Sequence, residues 1–360
     1  VWGLQPPMEG RDSRLRGGGR HEEDNAKEEY EDEKMYEDEE EEEQPNNERG
    51  EDEGEDIGDE ATVEKEANLL PPADGSLTFK GPQNDRQRAV VSAFQHAWKG
   101  YKTYAWGHDH LRPISKGAQN WFGLGLTLID SLDTMWIMNL TEDFEEAKEW
   151  VADNLSFKIN KDVNLFETTI RVLGGLLSAF HLSGDNVFLE RAKDLGQRLM
   201  GAFSSSSGIP YSDVNLKSTR GHAPKWSPDS STSEVTTLQL EFRDLSRCTD
   251  EPQYEDAVAR ISHIVHSLEK TEGLVPIFIN ANSGKFRKHS TITFGARGDS
   301  YYEYLLKQWI QTGKRTDTLK EDFLEAMKGV VNRLAKRTVP NRLLYLGEIV
   351  SGGKDFKPKM

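Results

Sequence analysis

Cysteine and long apolar runs are scarce in this sequence, and both shortages limit what the protein can be. Cys248 is the only cysteine in 360 residues, so no disulfide can form within the chain. No stretch reaches the roughly 18 consecutive apolar residues that a membrane-spanning helix needs. The opening residues VWGLQPPMEG hold no apolar signal-peptide core and begin at Val1, which indicates a truncated or processed start.

The compartment is left open by two weak and opposed signals. A single cysteine favours a reducing compartment, whereas two Asn-x-Ser/Thr sequons, at Asn139 and Asn154, favour the secretory pathway. Such tripeptides are common by chance, so neither signal decides the question.

Several catalytic motifs are also absent. The chain has no GxSxG elbow, no HExxH, no phosphate-binding P-loop and no GxGxxG, which speaks against the common hydrolase, metalloprotease and nucleotide-binding classes. The pair His108 and His110 in WGHDH has no other ligand cluster in view, and we interpret it as part of a surface loop. Cys248 has no obvious base nearby in the sequence, so we predict no chemical role for it.

Acidic charge is abundant, but it is confined to one tract. Residues 22–60 carry 23 Asp or Glu against three basic residues, a net charge of −20, whereas the whole chain carries −17. The remainder is therefore close to neutral, and no nucleic-acid partner is indicated. Such a tract has too few apolar side chains to offset the entropy of ordering it. We predict that residues 1–82 are a disordered acidic spacer and that a globular domain occupies residues 83–360; a cation-binding or partner-binding tail is the alternative.

Downstream of Asn84 the apolar residues recur with helical spacing. The pattern predicts helices over 85–99 (stopped by Gly100), 123–138, 142–155, 165–182, 185–203, 232–247, 253–268, 299–312 and 316–336, and a hairpin-like stretch over 274–286. Helices that are apolar nearly all round alternate with helices that have one polar face. Because the first kind is buried and the second lies at the surface, we predict an all-α fold with an inner ring of helices sheathed by an outer ring, an α/α toroid. A helical bundle or repeat array would show some of the same alternation.

Several carboxylates lie on the predicted apolar helices, where burying an unpaired charge costs free energy. Each has a structural explanation when taken alone. Glu234 fits a capping box with Ser231, and Asp299 follows a glycine as an N-cap would. The others form short-range sets, namely Asp130 with Asp133, Glu167 with Arg171 at i+4, and Asp299 with Arg297 and Glu303.

Together, these acids and arginines predict a site. Converging carboxylates push each other's pKa values apart, which is what acid–base chemistry needs. Glycosidic bond cleavage requires one protonated acid for the leaving oxygen and one ionised acid for the water. Aromatic side chains that could stack on sugar faces lie near the acids in sequence, namely Trp121, Trp136, Tyr301, Tyr302 and Trp309.

The strings that carry these residues resemble a known family. AFQHAWKGYKTYAWGHDHLRPISK, GLTLIDSLDTMWIM, NLFETTIRVLGGLLSAFHLSGD, SEVTTLQLEFRDLS and TFGARGDSYYEYLLKQWI are similar to the class I α-mannosidases of glycoside hydrolase family 47. The resemblance covers residues 83–360 and favours the endoplasmic reticulum members over the Golgi members. It implies an (α/α)7 barrel, incomplete in this chain. It also implies inverting removal of terminal α-1,2-linked mannose from high-mannose N-glycans, during glycoprotein processing and endoplasmic reticulum quality control, with a bound calcium ion.

The resemblance also implies roles for individual residues. Glu167 matches the family's acid, which donates its proton through a water, and Asp299 matches a second essential carboxylate, a candidate base. Arg171 and Arg297 match residues that tune these acids. The remaining matches, near the bound mannose or the calcium waters, are Asp130, Glu234 and Glu303.

Family features that the chain lacks shape the remaining expectations. The family's third essential glutamate and its calcium-ligating threonine are expected beyond Met360, so no metal ligand is expected among these residues. Family members are type II membrane proteins of the secretory lumen, so the acidic tract corresponds to a lumenal stem and the anchor is missing. We expect this chain alone to be inactive and poorly folded. The alternatives are a non-catalytic glycan-binding relative and a helical scaffold whose acids form structural ion pairs.

Overall fold

A computed structural model describes residues 79–224, 227–350 and 355–358. All of them belong to one compact unit, Ala67–Met360. The predicted spacer over residues 1–82 lies outside the described residues except for 79–82, which have no regular secondary structure. Among the described residues, each helix is too short or too polar to span a lipid bilayer.

Helices dominate the described residues. They are α1 (Asp85–Tyr104), α2 (Leu126–Asp130), α3 (Leu132–Ile137), α4 (Thr141–Asp153), α5 (Leu165–Glu167, continued by the π-helical Thr168–Leu173 and by Gly174–Ser183), α6 (Asn186–Leu199, with a 3-10 turn over Met200–Phe203), α7 (Thr232–Thr236), α8 (Gln239–Thr249), α9 (Gln253–Ser267), α10 (Asp299–Gln311) and α11 (Asp317–Gly329, continued by the π-helical Val330–Leu334).

The predicted alternation of buried and two-faced helices is confirmed. In α2 and α3 the buried residues fall on nearly every side, including Leu126, Leu128, Ile129, Leu132 and Met135. The two-faced α4 buries only one stripe, Phe144, Ala147 and Val151, and α6 does the same with Phe188, Ala192, Leu195, Gly196 and Leu199. The spacing of three and four residues in these stripes is that of a helix lying on a core with its other face in water.

The predicted end of the first helix is wrong. Gly100 does not stop α1, which continues for one more turn to Tyr104. Tyr101 is buried and its hydroxyl donates a hydrogen bond of 2.7 Å to the carbonyl of His108. Packing of this ring outweighs the roughly 1 kcal/mol that a glycine costs inside a helix.

Two predicted helices are each broken into two. The 123–138 helix breaks at Ser131, whose hydroxyl donates to the carbonyl of Thr127 at 2.6 Å. The 232–247 helix breaks at Thr237, whose hydroxyl bonds the carbonyl of Ser233 at 2.6 Å while its backbone leaves the helical region. Short hydroxyl side chains compete with backbone donors for helix carbonyls, and that competition bends or ends helices.

Short antiparallel sheets, mostly unpredicted, join the helices. They pair β1 (His110–Arg112) with β2 (Gly117–Gln119), β3 (Asp162–Asn164) with β4 (Asp213–Asn215) and β4 with β5 (Arg220–His222), β6 (Asp229–Ser231) with β7 (Phe278–Asn280), and β9 (Leu344–Val350) with both β8 (Ala335–Arg337) and β10 (Asp355–Pro358).

The predicted hairpin over 274–286 is only partly present. Its turn closes, because the amide of Asn280 donates to the carbonyl of Lys285 at 2.9 Å. Its strand β7, however, pairs along its length with the distant β6, with Ser231 opposite Phe278. This pairing matters because β6 leads directly into α7, just as β3 leads directly into α5.

Candidate functional site

Glu167 is fixed at the start of α5 by the residues on either side of it. The backbone amide of Glu167 donates to Asn164 Oδ1 at 2.9 Å, an N-cap that sets where the helix begins. Arg171 Nε donates to Glu167 Oε2 at 2.6 Å, so the predicted i,i+4 pair is present. Arg171 lies in the π-helical segment of α5, and π-helical turns often occur at functional sites.

Arg171 also joins Asp130 to this pair. Its Nη1 lies 3.5 Å from Asp130 Oδ2 at the end of α2. Burial raises the pKa of Asp130, and the charge and hydrogen bond of Arg171 oppose that rise. Asp133, one turn further, accepts a hydrogen bond of 2.9 Å from the hydroxyl of Ser178 and is thereby held against α5.

Glu234 does not serve as part of a capping box. Ser231 occupies the N-cap position of α7, but its side chain makes no capping hydrogen bond, so that structural interpretation is wrong. Instead, Asn164 Nδ2 donates to Glu234 Oε2 at 3.1 Å, so one amide side chain serves both Glu167 and Glu234. Burial raises the pKa of Glu234, the bond from Asn164 and the charge of Arg297 lower it, and the nearby charge of Glu167 raises it.

Arg297 reaches this group from the loop before α10. Its carbonyl accepts a hydrogen bond of 2.9 Å from the amide of Ser233, which ties the loop to the first turn of α7. Its guanidinium lies 5.1 Å from the centre of the Phe278 ring, within the range of a cation–π contact. Arg297 has φ = 69°, a left-handed conformation that costs a non-glycine residue about 1 kcal/mol. The surrounding contacts hold it there, and such strain is common at functional sites.

Asp299 and Glu303 lie at the start of α10, next along the chain. Asp299 is the first helical residue, after Gly298 at the N-cap, so the interpretation of Asp299 as the N-cap is wrong. Its Oδ1 accepts from the amide of Ser300 at 2.9 Å, and the side chain is exposed. Glu303, one turn further, is also exposed and pairs with Lys307.

Five of the seven predicted residues are thus linked by direct contacts or close charges. Asn164, which sequence reasoning overlooked, is the link between the two glutamates, although an asparagine just before a helix was visible as a capping signal. The linked residues are Asp130, Glu167, Arg171, Glu234 and Arg297. The result is a polar group of acids and arginines in which burial favours protonation of two carboxyls, Asp130 and Glu234.

The predicted aromatic platform is only partly available. Tyr301 and Tyr302 are buried, and Tyr302 accepts a hydrogen bond from the amide of Val275, so these two rings belong to the core. Trp121 is 43% exposed and stacks on both Phe122 and His110, so only part of its ring is available to a ligand. The helical periodicity of α10 could have predicted that Tyr301 and Tyr302 are buried, because both tyrosines lie on its apolar face.

The interpretation of Cys248 as a residue with no base nearby is also wrong. Helices α5 and α8 pack together and place the ring nitrogen Nε2 of His181 3.7 Å from Cys248 Sγ. Of the pair predicted to lie in a surface loop, His108 is exposed in a loop and contacts Asn120, whereas His110 is half-buried and begins strand β1.

Glu241 is a half-buried acid, with one buried carboxyl oxygen, that sequence reasoning missed. Its Oε1 accepts from the hydroxyl of Tyr304 at 2.9 Å, while Oε2 is buried without a partner among the described residues. Burial raises the pKa of Glu241 to about 7. In the unfolded chain it ionises near 4.5, so between these values the folded state holds the extra proton and stability falls as pH rises.

We expect Glu241→Gln to remove that pH dependence. The neutral amide keeps the acceptor for Tyr304, so the variant should match the wild type near pH 4 and exceed its free energy of unfolding by up to about 3 kcal/mol near pH 8. Urea unfolding at both pH values measures this, with the exposed Glu190→Gln as control. If the free energy of unfolding falls with pH as steeply in Glu241→Gln as in the wild type, this carboxyl does not cause the pH dependence.

Comparison with known proteins agrees with this picture. Residues 93–360 match the profile of glycosyl hydrolase family 47. The chain is 53% identical over 298 residues to the endoplasmic reticulum mannosyl-oligosaccharide 1,2-alpha-mannosidase of Rattus norvegicus, covering 82% of this chain and 45% of that protein. It is 54% identical over 298 residues to the Homo sapiens protein of the same name, covering 82% of this chain and 42% of that protein.

The fold is similar to that of a solved enzyme. The structure of the alpha-1,2-mannosidase from Trichoderma reesei superimposes with a TM-score of 0.70 at 27% identity, covering 77% of this chain and 61% of that chain. The chain spans less than half the length of the curated relatives quoted above. With the family profile matched over most of its length and an α/α barrel architecture, the chain belongs to glycosyl hydrolase family 47.

Proposed function

We propose that this chain is part of an α-1,2-mannosidase that hydrolyses terminal α-1,2-linked mannose from high-mannose N-glycans with inversion. The observation that carries the proposal is a linked polar group where the end of α2 meets the starts of α5 and α7, namely Glu167, Arg171, Asp130, Asn164 and Glu234. Three carboxyls converge here on Arg171, Asn164 and the charge of Arg297, and acids gathered at one place suit acid–base chemistry better than they suit a scaffold. The names of the relatives support mannose as the sugar.

Glu167 is the proposed proton donor. Asn164 fixes its backbone and Arg171 fixes its carboxylate at 2.6 Å, so the side chain is aimed before substrate arrives. Asp299 is the proposed base, exposed at the first turn of α10 and so open to solvent water. An inverting reaction needs room for that water, with the two carboxyl groups about 6.5–9.5 Å apart.

The other residues are proposed to bind the sugar and set the charge around it. Arg171 and Arg297 each contribute a positive charge close to a carboxyl, Asp130 and Glu234 respectively. Protonated carboxyls can donate hydrogen bonds to sugar hydroxyls, and ionised ones can accept them. The proposed sugar-binding residues are therefore Asp130, Glu234 and Glu303.

Calcium is the proposed cofactor of the complete enzyme, and its protein ligand is expected outside these residues. Calcium takes six to eight oxygen ligands, mostly from carboxylates and carbonyls. Among the described residues, the one group of three candidate metal ligands contains a histidine and a cysteine, which do not suit calcium. No step proposed here depends on the ion, and its threonine ligand remains a prediction for sequence beyond Met360.

The proposed location is the lumen of the endoplasmic reticulum. The relatives' names support it, and the asparagines of both sequons are exposed, as glycosylation there would require. We propose residues 1–82 as a lumenal stem that connects to a membrane anchor, and residues 83–360 as the N-terminal part of the catalytic barrel. The proposed partners are glycoproteins that carry high-mannose N-glycans.

The stereochemistry of the released sugar tests the reaction. The protein that carries this chain is incubated with a high-mannose N-glycan and followed by proton NMR. We expect β-mannose to appear first and the α-anomer only later by mutarotation, because inversion of an α-linkage gives the β-product. First appearance of the α-anomer would exclude inversion and the water-activating role of Asp299.

Two other outcomes would overturn the proposal. Glycan binding without any release of mannose would favour the non-catalytic relative. Neither binding nor release would favour a scaffold in which the acids are structural ion pairs. The 360-residue chain alone is expected to release no mannose, and measurable release would show that these residues suffice.

A further inference from the structure

The last turns of α5 and α8 bring a histidine, an aspartate and a cysteine together at the protein surface. His181 Nε2 lies 2.8 Å from Asp244 Oδ2 and 3.7 Å from Cys248 Sγ. The three ligand atoms all lie within 4.8 Å of one another. Asp244 and Cys248 are four residues apart in α8, so they project from the same face toward α5.

This arrangement is not that of a nucleophile activated by a relay. In such a relay, the thiol contacts one ring nitrogen of the histidine and the carboxylate contacts the other. Here the carboxylate and the thiol both contact Nε2. The three groups therefore face a common point between them, as the ligands of a single ion do.

We propose that His181, Asp244 and Cys248 bind one divalent transition-metal ion of the Zn2+ type, with its fourth position open to water. Imidazole, carboxylate and thiolate are the ligands that Zn2+ uses, and three protein ligands plus water is a recurrent arrangement. A tetrahedral ion with Zn–N of about 2.0 Å and Zn–S of about 2.3 Å separates N and S by about 3.5 Å. The observed 3.7 Å needs almost no adjustment, and the carboxylate has to retreat by about half an ångström.

The surroundings favour a cation. His181 lies in the last turn of α5 and Cys248 in the last turn of α8, where the helix dipoles place partial negative charge. Asp244 and the Cys248 thiolate would supply the two negative charges that neutralise the ion. The side chains of His181 and Asp244 are 37% and 22% exposed, so an ion can reach them from solvent while both are partly held in place.

A proton is the competitor for this position. The hydrogen bond to Asp244, and then that to Cys248, raise the pKa of His181 to about 10. Because a metal ligand has to be deprotonated, binding of the ion has to release the imidazole proton into solvent.

This site is separate from the proposed catalytic group. Glu167 lies in the first turn of α5 and His181 in its last, about 20 Å apart at 1.5 Å per residue. The metal proposal does not depend on the proposed hydrolysis.

Titration of the protein that carries this chain with Co2+, a coloured substitute for Zn2+, tests the proposal. Any other free cysteine of that protein is first replaced by serine, so that a thiolate-to-cobalt charge-transfer band reports on Cys248, the only cysteine within these 360 residues. We expect that band, with the visible bands of tetrahedral Co2+, to saturate at one equivalent. Zn2+ should then abolish the band and slow alkylation of the thiol by at least about tenfold.

Variants separate the site from adventitious binding. Cys248→Ser should lose the band, and His181→Gln and Asp244→Asn should each weaken Co2+ binding by about tenfold or more. His96→Gln, which removes an exposed histidine from α1, should bind as the wild type does. Absence of a thiolate band, or equal affinity in Cys248→Ser and wild type, would overturn the proposal.

Discussion

Glu167→Gln is expected to lower the rate of mannose release by roughly a hundredfold to ten-thousandfold, the usual contribution of a positioned acid. Glutamine keeps an oxygen that can accept from Arg171 and a backbone amide that Asn164 can still cap. The variant therefore removes the transferable proton while preserving the local geometry. Steady-state release of mannose from a high-mannose glycan, by the protein that carries this chain, measures the loss.

Two comparisons make this result interpretable. Glu190→Gln makes the same change at an exposed position in α6 and should leave the rate unchanged. Glycan binding by Glu167→Gln should persist, because the loss concerns the chemical step and falls on kcat more than on KM. Full activity in Glu167→Gln, with the same melting temperature as the wild type, would assign this carboxylate to structure alone.

The part of this site that the sequence could predict is the part made by neighbours along one helix. The Glu167–Arg171 pair was visible because side chains four residues apart share a helix face. The bridge from Asn164 to Glu234 spans 70 residues and depends on how α5 and α7 meet, so no local pattern contains it. The same holds for His181 and Cys248, which are 67 residues apart in the sequence.

The fold, like the site, was predictable only in its local parts. The spacing of apolar residues located the helices, because the buried residues of a helix recur every three to four positions over a dozen residues. It did not locate the breaks at Ser131 and Thr237, since each depends on a single hydroxyl hydrogen bond. Three-residue strands such as β3 and β6 are too short to show an alternating pattern, and their partners lie about 50 residues away.

Asp109→Asn is expected to destabilise the protein by roughly 3–5 kcal/mol, the largest stability effect we foresee. Asp109 stands between the two histidines of WGHDH and is fully buried. Its Oδ2 accepts from the amides of Trp121, Phe122 and Gly123 at 2.6–2.8 Å, and its Oδ1 from those of Leu124 and Leu126 at 2.9 and 3.1 Å. One carboxylate thus holds the whole loop that leads into α2, which carries Asp130.

The charge on Asp109 is part of this expectation. Burial alone would raise the pKa of Asp109, but the backbone amides together outweigh burial and hold the pKa below its usual value. Because the folded-state pKa is the lower one, the stabilisation is present at neutral pH and is lost as pH falls through that lowered value. Asparagine has no such charge, so its stability should lack this acid-side loss.

Asparagine also places an NH2 donor against backbone N–H donors of the loop. If the asparagine oxygen replaces Oδ1, its NH2 group faces the three backbone amides from which Oδ2 accepts hydrogen bonds. Those buried N–H donors then lack an acceptor, which costs about 1–3 kcal/mol for each donor. Urea unfolding near neutral pH measures the change against Asp153→Asn, an exposed aspartate at the end of α4 that should change little. If Asp109→Asn unfolds at the same urea concentration as Asp153→Asn, backbone contacts of the 121–126 loop, and not the carboxylate, hold that loop in place.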